Sequence, residues 1–387
     1  MRILFLLQVI TATGSACGIG FYLISLWSAR SYLTRQERPA SPAAHPFFDP
    51  PVSILKPLRG ADSHIYESFR SHCLQDFPQY EIIFGVSEPY DPAIAVVDRL
   101  KREFPNHPIQ LVVCSQNLGA NTKVSNLIQM LPLARYEHVL VNDSDIRVPP
   151  DYLRRIVVPF SNPQVGMVTC FYRGAAGKSL GSRLESIGIS SEFIPGVLTA
   201  RNLEGGMRFA LGSTLAMTRR SLAAIGGFEP LADYLADDYE LGCRIAAAGF
   251  NVVLSDVVVD TFVPEYSLRS FFQHQLRWGR STRDSRRWGY SGVLLTFGLP
   301  WAFLALIFSR GAIWACLLLA TALVLRLLVA VSIGFGVLRD RQIIHDLWLV
   351  PLRDLAAVLI WIGSYTGRTI TWRGKRFVLQ DRKIYPV

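Results

Sequence analysis

A long uncharged segment at the start of the chain limits how this protein can fold. Residues 3–29 carry no charged side chain, and a helix needs only about 20 predominantly apolar residues to cross a bilayer. A cleaved signal peptide is the alternative, but its apolar core is usually roughly 7 to 15 residues long, which is shorter than this segment. Residues 1–30 are therefore predicted to form a transmembrane anchor.

Basic residues directly after this segment indicate its orientation. Arg30, Arg35 and Arg38 follow the apolar run. Positively charged residues that flank a membrane segment tend to stay on the cytoplasmic side. The part of the chain that comes next is therefore expected in the cytoplasm.

The C-terminal part of the chain holds a second apolar region, residues 291–366. Residues 292–309 and 312–338 are predicted to be two crossing helices, because only a short polar turn separates them. Arg326 lies inside the second helix. A charged side chain at that depth is expected to face protein or water.

A weaker apolar run follows at residues 347–364 and contains Pro351 and two charged residues. A third crossing after a cytoplasmic domain would leave the basic tail, residues 367–387, on the outside, against the usual charge distribution. Residues 343–365 are therefore predicted to re-enter or to lie in the interface. A further crossing is the alternative.

Short apolar runs alternate with longer mixed segments over residues 50–270. This pattern predicts an α/β domain with a parallel sheet that helices cover on both sides. Ligands of such sheets bind outside the carboxyl ends of the strands. Functional residues are therefore expected at that edge.

Asp143 and Asp145 stand one residue apart at the predicted end of one of these strands. Side chains at positions i and i+2 of a strand point to the same side, so the repulsion must be relieved by protonation or by a cation. Mg²⁺ or Mn²⁺, with substrate phosphates as further ligands, would relieve it. A solvated turn that caps the strand is the alternative.

Two other charged patterns accompany this pair. Asp237 and Asp238 begin a predicted helix, where acids commonly complement the helix dipole. Residues 271–290 interleave arginines with Trp278 and Trp288, which predicts an amphipathic segment at the membrane surface. The net charge of +10 is attributed to residues that face lipid headgroups, and no nucleic-acid partner is expected.

The order of these motifs resembles that of membrane-bound lipid glycosyltransferases with a nucleotide-diphospho-sugar transferase (GT-A) fold. The segments "PVSILKPLRG", "GVSEPYDPA", "KVSNL", "DSDIRVPPDYL", "LADDYELG" and "HQLRW" are similar to the ceramide glucosyltransferase family and its bacterial relatives in hopanoid biosynthesis. The resemblance covers residues 50–290. It implies a cytoplasmic GT-A domain between N- and C-terminal transmembrane helices, in an integral protein of a bacterial-type inner membrane.

The resemblance also implies a role for each matching residue. The catalytic base would be Asp238, and the metal ligands for Mn²⁺ or Mg²⁺ would be Asp143 and Asp145. The donor-binding residues would be Glu88, Asp91, Lys123, Arg277 and Trp278. The region shared by donor and acceptor would include Asp237, Gln273 and His274. The chain departs from the family pattern twice, because Glu88 replaces a usual Asp and His274 replaces a usual Gln or Arg.

The implied reaction is an inverting transfer of glucose or N-acetylglucosamine from a UDP-sugar to a lipid hydroxyl. Ceramide is the expected acceptor, and a hopanoid is the alternative. A polysaccharide synthase would need a polymer channel, for which three or four helices are few. A non-catalytic membrane scaffold is a further alternative, which predicts that the acidic residues are dispensable.

Overall fold

The computed structural model describes residues 2–36, 48–62, 64–372 and 374–387. Arg38, part of the predicted orientation signal, and Arg373 of the basic tail lie outside the described residues. The chain divides into two compact units. The sheet unit consists of Pro39–Ala175, Glu204–Pro264 and Arg382–Val387, and the membrane unit consists of Met1–Arg38, Ala176–Leu203 and Glu265–Asp381.

Eleven strands are present in the described part of the chain. They are β1 (Val52–Leu58), β2 (Tyr80–Val86), β3 (Ile109–Val113), β4 (His138–Val141), β5 (Ile146–Arg147), β6 (Val165–Ala176), β7 (Leu215–Thr218), β8 (Asn251–Val263), β9 (Thr369–Trp372), β10 (Lys375–Gln380) and β11 (Lys383–Pro386).

The first eight strands form one sheet in the order β3-β2-β1-β4-β7-β6-β8-β5. Strands β1 to β4 run parallel, whereas β7 runs antiparallel to both β4 and β6, and β5 runs antiparallel to β8. Strands β1 and β2 are buried at every position. The predicted α/β sheet is confirmed, although it is mixed rather than wholly parallel. The sequence of a strand that is apolar on both faces does not indicate whether the strand runs parallel or antiparallel to its neighbours.

The α-helices of the described residues alternate with these strands in the central part of the chain. They are α1 (Arg2–Gln36), α2 (Ile65–Cys73), α3 (Ala93–Glu103), α4 (Thr122–Met130), α5 (Tyr152–Val157), α6 (Leu180–Gly188), α7 (Ile194–Leu203), α8 (Arg219–Ala223), α9 (Asp237–Ala247), α10 (Leu268–Ser285), α11 (Arg287–Gly292), α12 (Gly298–Phe308), α13 (Ile313–Ala330), α14 (Gln342–Asp346) and α15 (Val350–Ser364).

Three helical segments in the described residues are long and apolar enough to cross a membrane, namely Arg2–Thr34, Ile313–Val337 and Gln342–Ser364. A fourth candidate, Arg287–Thr296 with Gly298–Phe308, is bent by 51°. Pro300 lies in the first turn of α12, where a backbone N–H would have no partner within the helix, so the proline is tolerated there. The segment that was predicted to cross at residues 292–309 thus contains a bend. By contrast, Gln342–Ser364, where a re-entrant or interfacial segment was predicted, is long enough to cross.

Buried charge ties the helices of the membrane unit together. Arg326 on α13 is 3% exposed and forms an ion pair with Asp354 on α15, with 2.6 Å between Nη2 and Oδ1. Its Nη1 also donates to the backbone carbonyl of Ser191 at 2.7 Å. The arginine thus faces protein, as expected for a charged group among apolar helices.

Candidate active site

The turn between β4 and β5 carries Asp143 and Asp145, directly after the carboxyl end of β4. The residue before them, Asn142, is fully buried. Its Nδ2 donates to the backbone carbonyl of Ser213 at 2.7 Å and to the hydroxyl of Tyr152 at 2.9 Å. These bonds fix where the strand ends, so the two carboxylates leave the sheet at a defined point.

The carboxylate of Asp143 is neutralised by a lysine from the chain itself. Lys123 Nζ lies 2.8 Å from Asp143 Oδ1 and 3.1 Å from Asp237 Oδ2. Its side chain is only 10% exposed. Burial alone lowers the pKa of Lys123, but the charges of Asp143, Asp237 and Asp238 outweigh burial and raise it. The ammonium therefore stays charged between two acids that are far apart in sequence.

The start of α4 places this lysine. Asn121 is the N-cap of α4, and its Oδ1 accepts hydrogen bonds from the backbone N–H groups of Lys123 and Val124. The Nδ2 atom of Asn121 donates to Asp237 Oδ1 at 3.3 Å. A single capping residue therefore links the first turns of α4 and α9, because it satisfies free N–H groups of one helix and holds an acid of the other.

Asp238 lies beside this ion cluster at the start of α9. Burial, and next the charge of Asp237, raise the pKa of the Asp238 carboxyl to about 6. The backbone N–H of Tyr239 donates to its Oδ1 at 2.8 Å. A carboxylate with a pKa near the working pH and a fixed orientation has the properties of a general base.

Gly212 leaves room for the two acids that face each other. A Cβ atom at this position would lie 2.8 Å from Asp238 Oδ2 and 3.6 Å from Asp143 Oδ2. The two carboxylates therefore border the same small space, which only a residue without a side chain leaves open. Sequence reasoning missed this glycine because nothing in its local pattern connects it to the acids.

Gly212→Ala is expected to lower activity about 100-fold, because a shift of roughly 1 Å in a reacting group has an effect of that size. The control is Gly206→Ala, where a Cβ atom would meet nothing within 4 Å. Both variants are to be compared by initial rates and by melting temperature. Equal activity of the two variants would show that the space beside Gly212 is not used.

Asp145 has a different environment from Asp143. Its Oδ2 accepts a hydrogen bond from Thr261 Oγ1 at 2.6 Å. Burial, and next the charge of Asp143, raise the pKa of the Asp145 carboxyl. The side chain of Asp145 thus has a neutral hydroxyl as its hydrogen-bond partner, whereas Asp143 is paired with the ammonium of Lys123.

A buried lysine under the turn was missed by the sequence analysis. Lys56 on β1 is fully buried, and its Nζ donates to the backbone carbonyl of Asp143 at 3.1 Å and lies 3.5 Å from His72 Nε2. Burial lowers the pKa of Lys56 to about 7, although the charges of Asp145 and Asp143 oppose this effect. The sequence signal that could have identified it is a lysine inside the apolar run "VSILKPL", because a charged residue in a buried strand requires polar or charged partners.

Glu88 and Asp91 lie in the loop after β2. The Glu88 side chain is exposed. Both carboxylate oxygens of Asp91 accept from the backbone N–H of Gly60 at 3.0 Å, and Oδ1 also accepts from the N–H of Ala93 at 2.8 Å. Gly60 has a φ of 74°, which favours glycine. Asp91 thus fixes the loop after β1 beside the start of α3.

The four predicted residues of the "RW" segment lie on α10, in the membrane unit. Trp278 is 41% exposed and packs edge-on against Phe193, with 6.1 Å between ring centroids. His274 stacks on Tyr266 at 5.3 Å. Gln273 is exposed and Arg277 is half-buried. The sheet unit thus brings together Lys123, Asp143, Asp237 and Asp238, and the α10 residues belong to the other unit.

The described residues contain no group of three or more His, Cys, Asp or Glu side chains that could hold a metal ion. The turn between β4 and β5 offers two carboxylates, and one oxygen of Asp143 is already paired with Lys123. Such a donor set fits an ion that keeps water and substrate phosphates as its other ligands, which is common for Mg²⁺. It does not fit a site built from protein ligands alone.

Residues 10–384 match the profile of "Glycosyl transferase family 21". The chain belongs to this family. The resemblance to ceramide glucosyltransferases is thereby confirmed, and the protein is a glycosyltransferase.

Named relatives match between half and most of the chain at low identity. Ceramide glucosyltransferase 1 of Caenorhabditis elegans is 24% identical over 350 residues, which span 85% of this chain and 72% of the relative. Beta-monoglucosyldiacylglycerol synthase of Synechocystis sp. is 25% identical over 199 residues, which span 51% of this chain and 40% of that protein. Both relatives are named for the glycosylation of lipids.

A solved structure confirms the GT-A fold. The mannosyltransferase PcManGT from Pyrobaculum calidifontis, in complex with GDP-Man and Mn²⁺, superposes with a TM-score of 0.59 at 21% sequence identity. The match covers 92% of this chain and 99% of that chain. The family and the candidate membrane helices together indicate a membrane-bound lipid glycosyltransferase.

Proposed function

We propose that this protein transfers a hexosyl group, glucose or N-acetylglucosamine, from a UDP-sugar to the hydroxyl of ceramide. The observation that carries the proposal is the ion cluster of Asp143, Lys123 and Asp237, with Asp238 beside it. A cation held next to a carboxylate of raised pKa suits a transfer in which a diphosphate leaves and a hydroxyl must lose a proton.

Lys123 is proposed to stabilise the leaving diphosphate. An ammonium is a compact charge that can neutralise phosphate oxygens. In the described structure its charge is divided between Asp143 and Asp237. A bound donor diphosphate would compete with these two acids for the ammonium. The other residues proposed for donor binding are Glu88, Asp91, Arg277 and Trp278.

Asp238 is proposed to act as the base. It would accept the proton of the acceptor hydroxyl while the hydroxyl oxygen attacks the anomeric carbon opposite the leaving diphosphate, which inverts the configuration. Asp237, the residue before the base, is proposed to position Lys123, since Oδ2 of Asp237 lies 3.1 Å from that ammonium. Gln273 and His274 are proposed to lie in the region shared by donor and acceptor.

A divalent cation, Mn²⁺ or Mg²⁺, is proposed on Asp143 and Asp145. The raised pKa of Asp145 supports this proposal, because a carboxylate without full compensation gains from an added positive charge. The bound ion would supply charge stabilisation to the departing diphosphate. The related mannosyltransferase from Pyrobaculum calidifontis was solved with Mn²⁺.

Ceramide is the proposed acceptor because two relatives matched over 85% of this chain are ceramide glucosyltransferases. The catalytic domain is proposed to lie in the cytoplasm of a bacterial-type inner membrane, since Arg30 and Arg35 follow the apolar part of α1. Diacylglycerol and hopanoid acceptors are outcomes that the experiment distinguishes.

The experiment incubates membranes that contain the protein with labelled UDP-glucose or UDP-N-acetylglucosamine. Separate reactions contain ceramide, diacylglycerol or a hopanoid, each with Mn²⁺, with Mg²⁺ or with a chelator. Labelled glucosylceramide or its N-acetylglucosamine analogue that disappears with the chelator supports the proposal. A label found only in another lipid or in a polymer would contradict the acceptor assignment. No labelled product from any combination would argue for a scaffold.

The rate of transfer is expected to fall as the pH decreases through about 6, because Asp238 must be deprotonated to accept a proton and burial raises its pKa to that value. The rate should be constant at higher pH until other groups titrate. The measurement is kcat/KM between pH 5 and 8 at saturating metal. A rate that rises as the pH falls below 6 would exclude a carboxylate base at this position.

A further inference from the structure

A cluster of polar side chains lies inside the membrane unit. It is formed by α6, the π-helical turn Ile189–Phe193, α10 and α15. Its members are Glu185, Glu192, His274, Gln275 and Arg353. We call it the polar cluster.

Gln275 is the centre of the polar cluster. Its Nε2 donates to Glu185 Oε2 at 2.7 Å, and its Oε1 accepts from Arg353 Nη2 at 2.8 Å. The same Nη2 lies 2.9 Å from Glu192 Oε2. His274 Nδ1 lies 3.4 Å from Glu185 Oε1. The side-chain amide of Gln275 thus binds an acid through its nitrogen and a guanidinium through its oxygen. The sequence analysis gave no role to this residue of "HQLRW".

Two buried nitrogens of the polar cluster have no hydrogen-bond partner among the described residues, namely Nε and Nη1 of Arg353. Glu192 Oε2 and His274 Nδ1 have only the ion-pair contacts given above. The Arg353 side chain is 5% exposed, so bulk water does not satisfy it. Most buried polar atoms in proteins have a partner. The guanidinium of Arg353 therefore has two donors that a ligand could satisfy.

The charges of the polar cluster also do not balance. The neighbouring pair of Arg326 and Asp354 is complete in itself. Arg353 therefore faces two acids, Glu185 and Glu192, and its single positive charge does not compensate both. An excess of acceptors favours a ligand that donates hydrogen bonds, such as one with hydroxyl groups.

Local backbone and aromatic residues point to the same place. The turn Ile189–Phe193 is π-helical, and such turns occur frequently at functional sites. Phe193 at its end packs edge-on against the exposed ring of Trp278. Apolar rings beside buried polar atoms are the usual lining of a site for a ligand with an apolar body and a polar end.

We propose that the polar cluster binds the headgroup of the acceptor lipid, and that this headgroup carries a carbonyl and a hydroxyl besides the hydroxyl that Asp238 deprotonates. The guanidinium of Arg353 would donate to the carbonyl oxygen, and the carboxylate of Glu192 would accept from the hydroxyl. This inference rests on the proposed function, since it names the residues that hold the lipid. Ceramide has an amide carbonyl and two hydroxyls, whereas a diacylglycerol has a single hydroxyl and a polycyclic alcohol lacks the carbonyl.

Two variants test the polar cluster. Glu192→Gln keeps the shape but removes the charge. Gly188→Ala would place a Cβ atom 2.5 Å from Arg353 Nε and displace the guanidinium. Gly196→Ala is the control, because a Cβ atom there would meet nothing within 4 Å. The measurements are KM for short-chain ceramide, KM for the UDP-sugar, binding of fluorescent ceramide to the purified protein in nanodiscs, and melting temperature.

Both variants are expected to raise the acceptor KM and the ceramide Kd about tenfold or more, as for the loss of a hydrogen bond to a charged group. The donor KM and the control should stay within about twofold. Unchanged ceramide binding in both variants would overturn the inference, as would a lower melting temperature with equal changes in both KM values. Absence of transfer to any lipid by the unaltered protein would contradict the proposed function, and the binding measurement would still decide the inference.

Discussion

Asp238→Asn is expected to lower kcat about 10²–10⁴-fold, which is the usual contribution of a positioned general base. The amide oxygen can still accept the N–H of Tyr239, so the start of α9 should keep its geometry. Asn cannot take a proton from the acceptor hydroxyl. The Kd for the UDP-sugar should therefore change by no more than about twofold. Single-turnover transfer and calorimetric donor binding measure the two effects separately.

The control for this variant is Asp98→Asn, since Asp98 is an exposed acid on α3 of the same unit. It should retain full activity. Loss of donor binding together with transfer in Asp238→Asn would refute the assignment of Asp238 as the base. Full activity of Asp238→Asn would also refute this assignment, and Asp237 would then be the candidate base.

Lys123→Met is expected to reduce kcat/KM about 10²–10³-fold, the effect of removing one group that stabilises charge on a leaving oxygen. Donor affinity should fall, because the methionine offers no charge to the diphosphate. Asp143 and Asp237 would lose their common counter-ion. Leaving a buried acceptor unsatisfied is expected to lower the free energy of unfolding by about 1–3 kcal/mol.

A double variant separates the effect on folding from the effect on catalysis. Asp237→Asn combined with Lys123→Met removes one of the two uncompensated charges, so the melting temperature should recover while donor binding should not. Lys101→Met on α3 is the control for the loss of a lysine. Recovery of donor binding in the double variant would mean that Lys123 serves the fold alone.

The fold class and several residues of the site could be predicted from the sequence. Alternating apolar runs indicated the α/β domain, and the spacing of Asp143 and Asp145 indicated a charged site at a strand end. The mixed direction of the sheet could not be predicted, because antiparallel β7 enters between strands that are buried on both faces. The bend of 51° before α12 was also not predicted, because residues 292–309 form one uncharged apolar run.

The partners of each charged residue were outside the reach of the sequence. The repulsion between the two acids of the turn was expected to be relieved by protonation or by a cation such as Mg²⁺ or Mn²⁺. In the structure, Lys123 and Lys56 approach them from α4 and β1. No sequence pattern encodes such pairs, because they depend on how the sheet brings distant strand ends to one edge. The polar cluster was hidden for the same reason, since its residues come from four separate helical elements.

The sequence by itself determined which segments are apolar enough for a membrane, that an α/β domain lies between them, and that acids stand at a strand end and a helix start. These properties follow from local periodicity and composition, which the order of residues contains directly. Only the tertiary structure decided that Lys123 lies between Asp143 and Asp237, that Gly212 leaves space beside Asp238, and that Arg353 is buried with unpaired donors. Those facts depend on contacts between residues far apart in the chain, and such contacts exist only once the chain has packed.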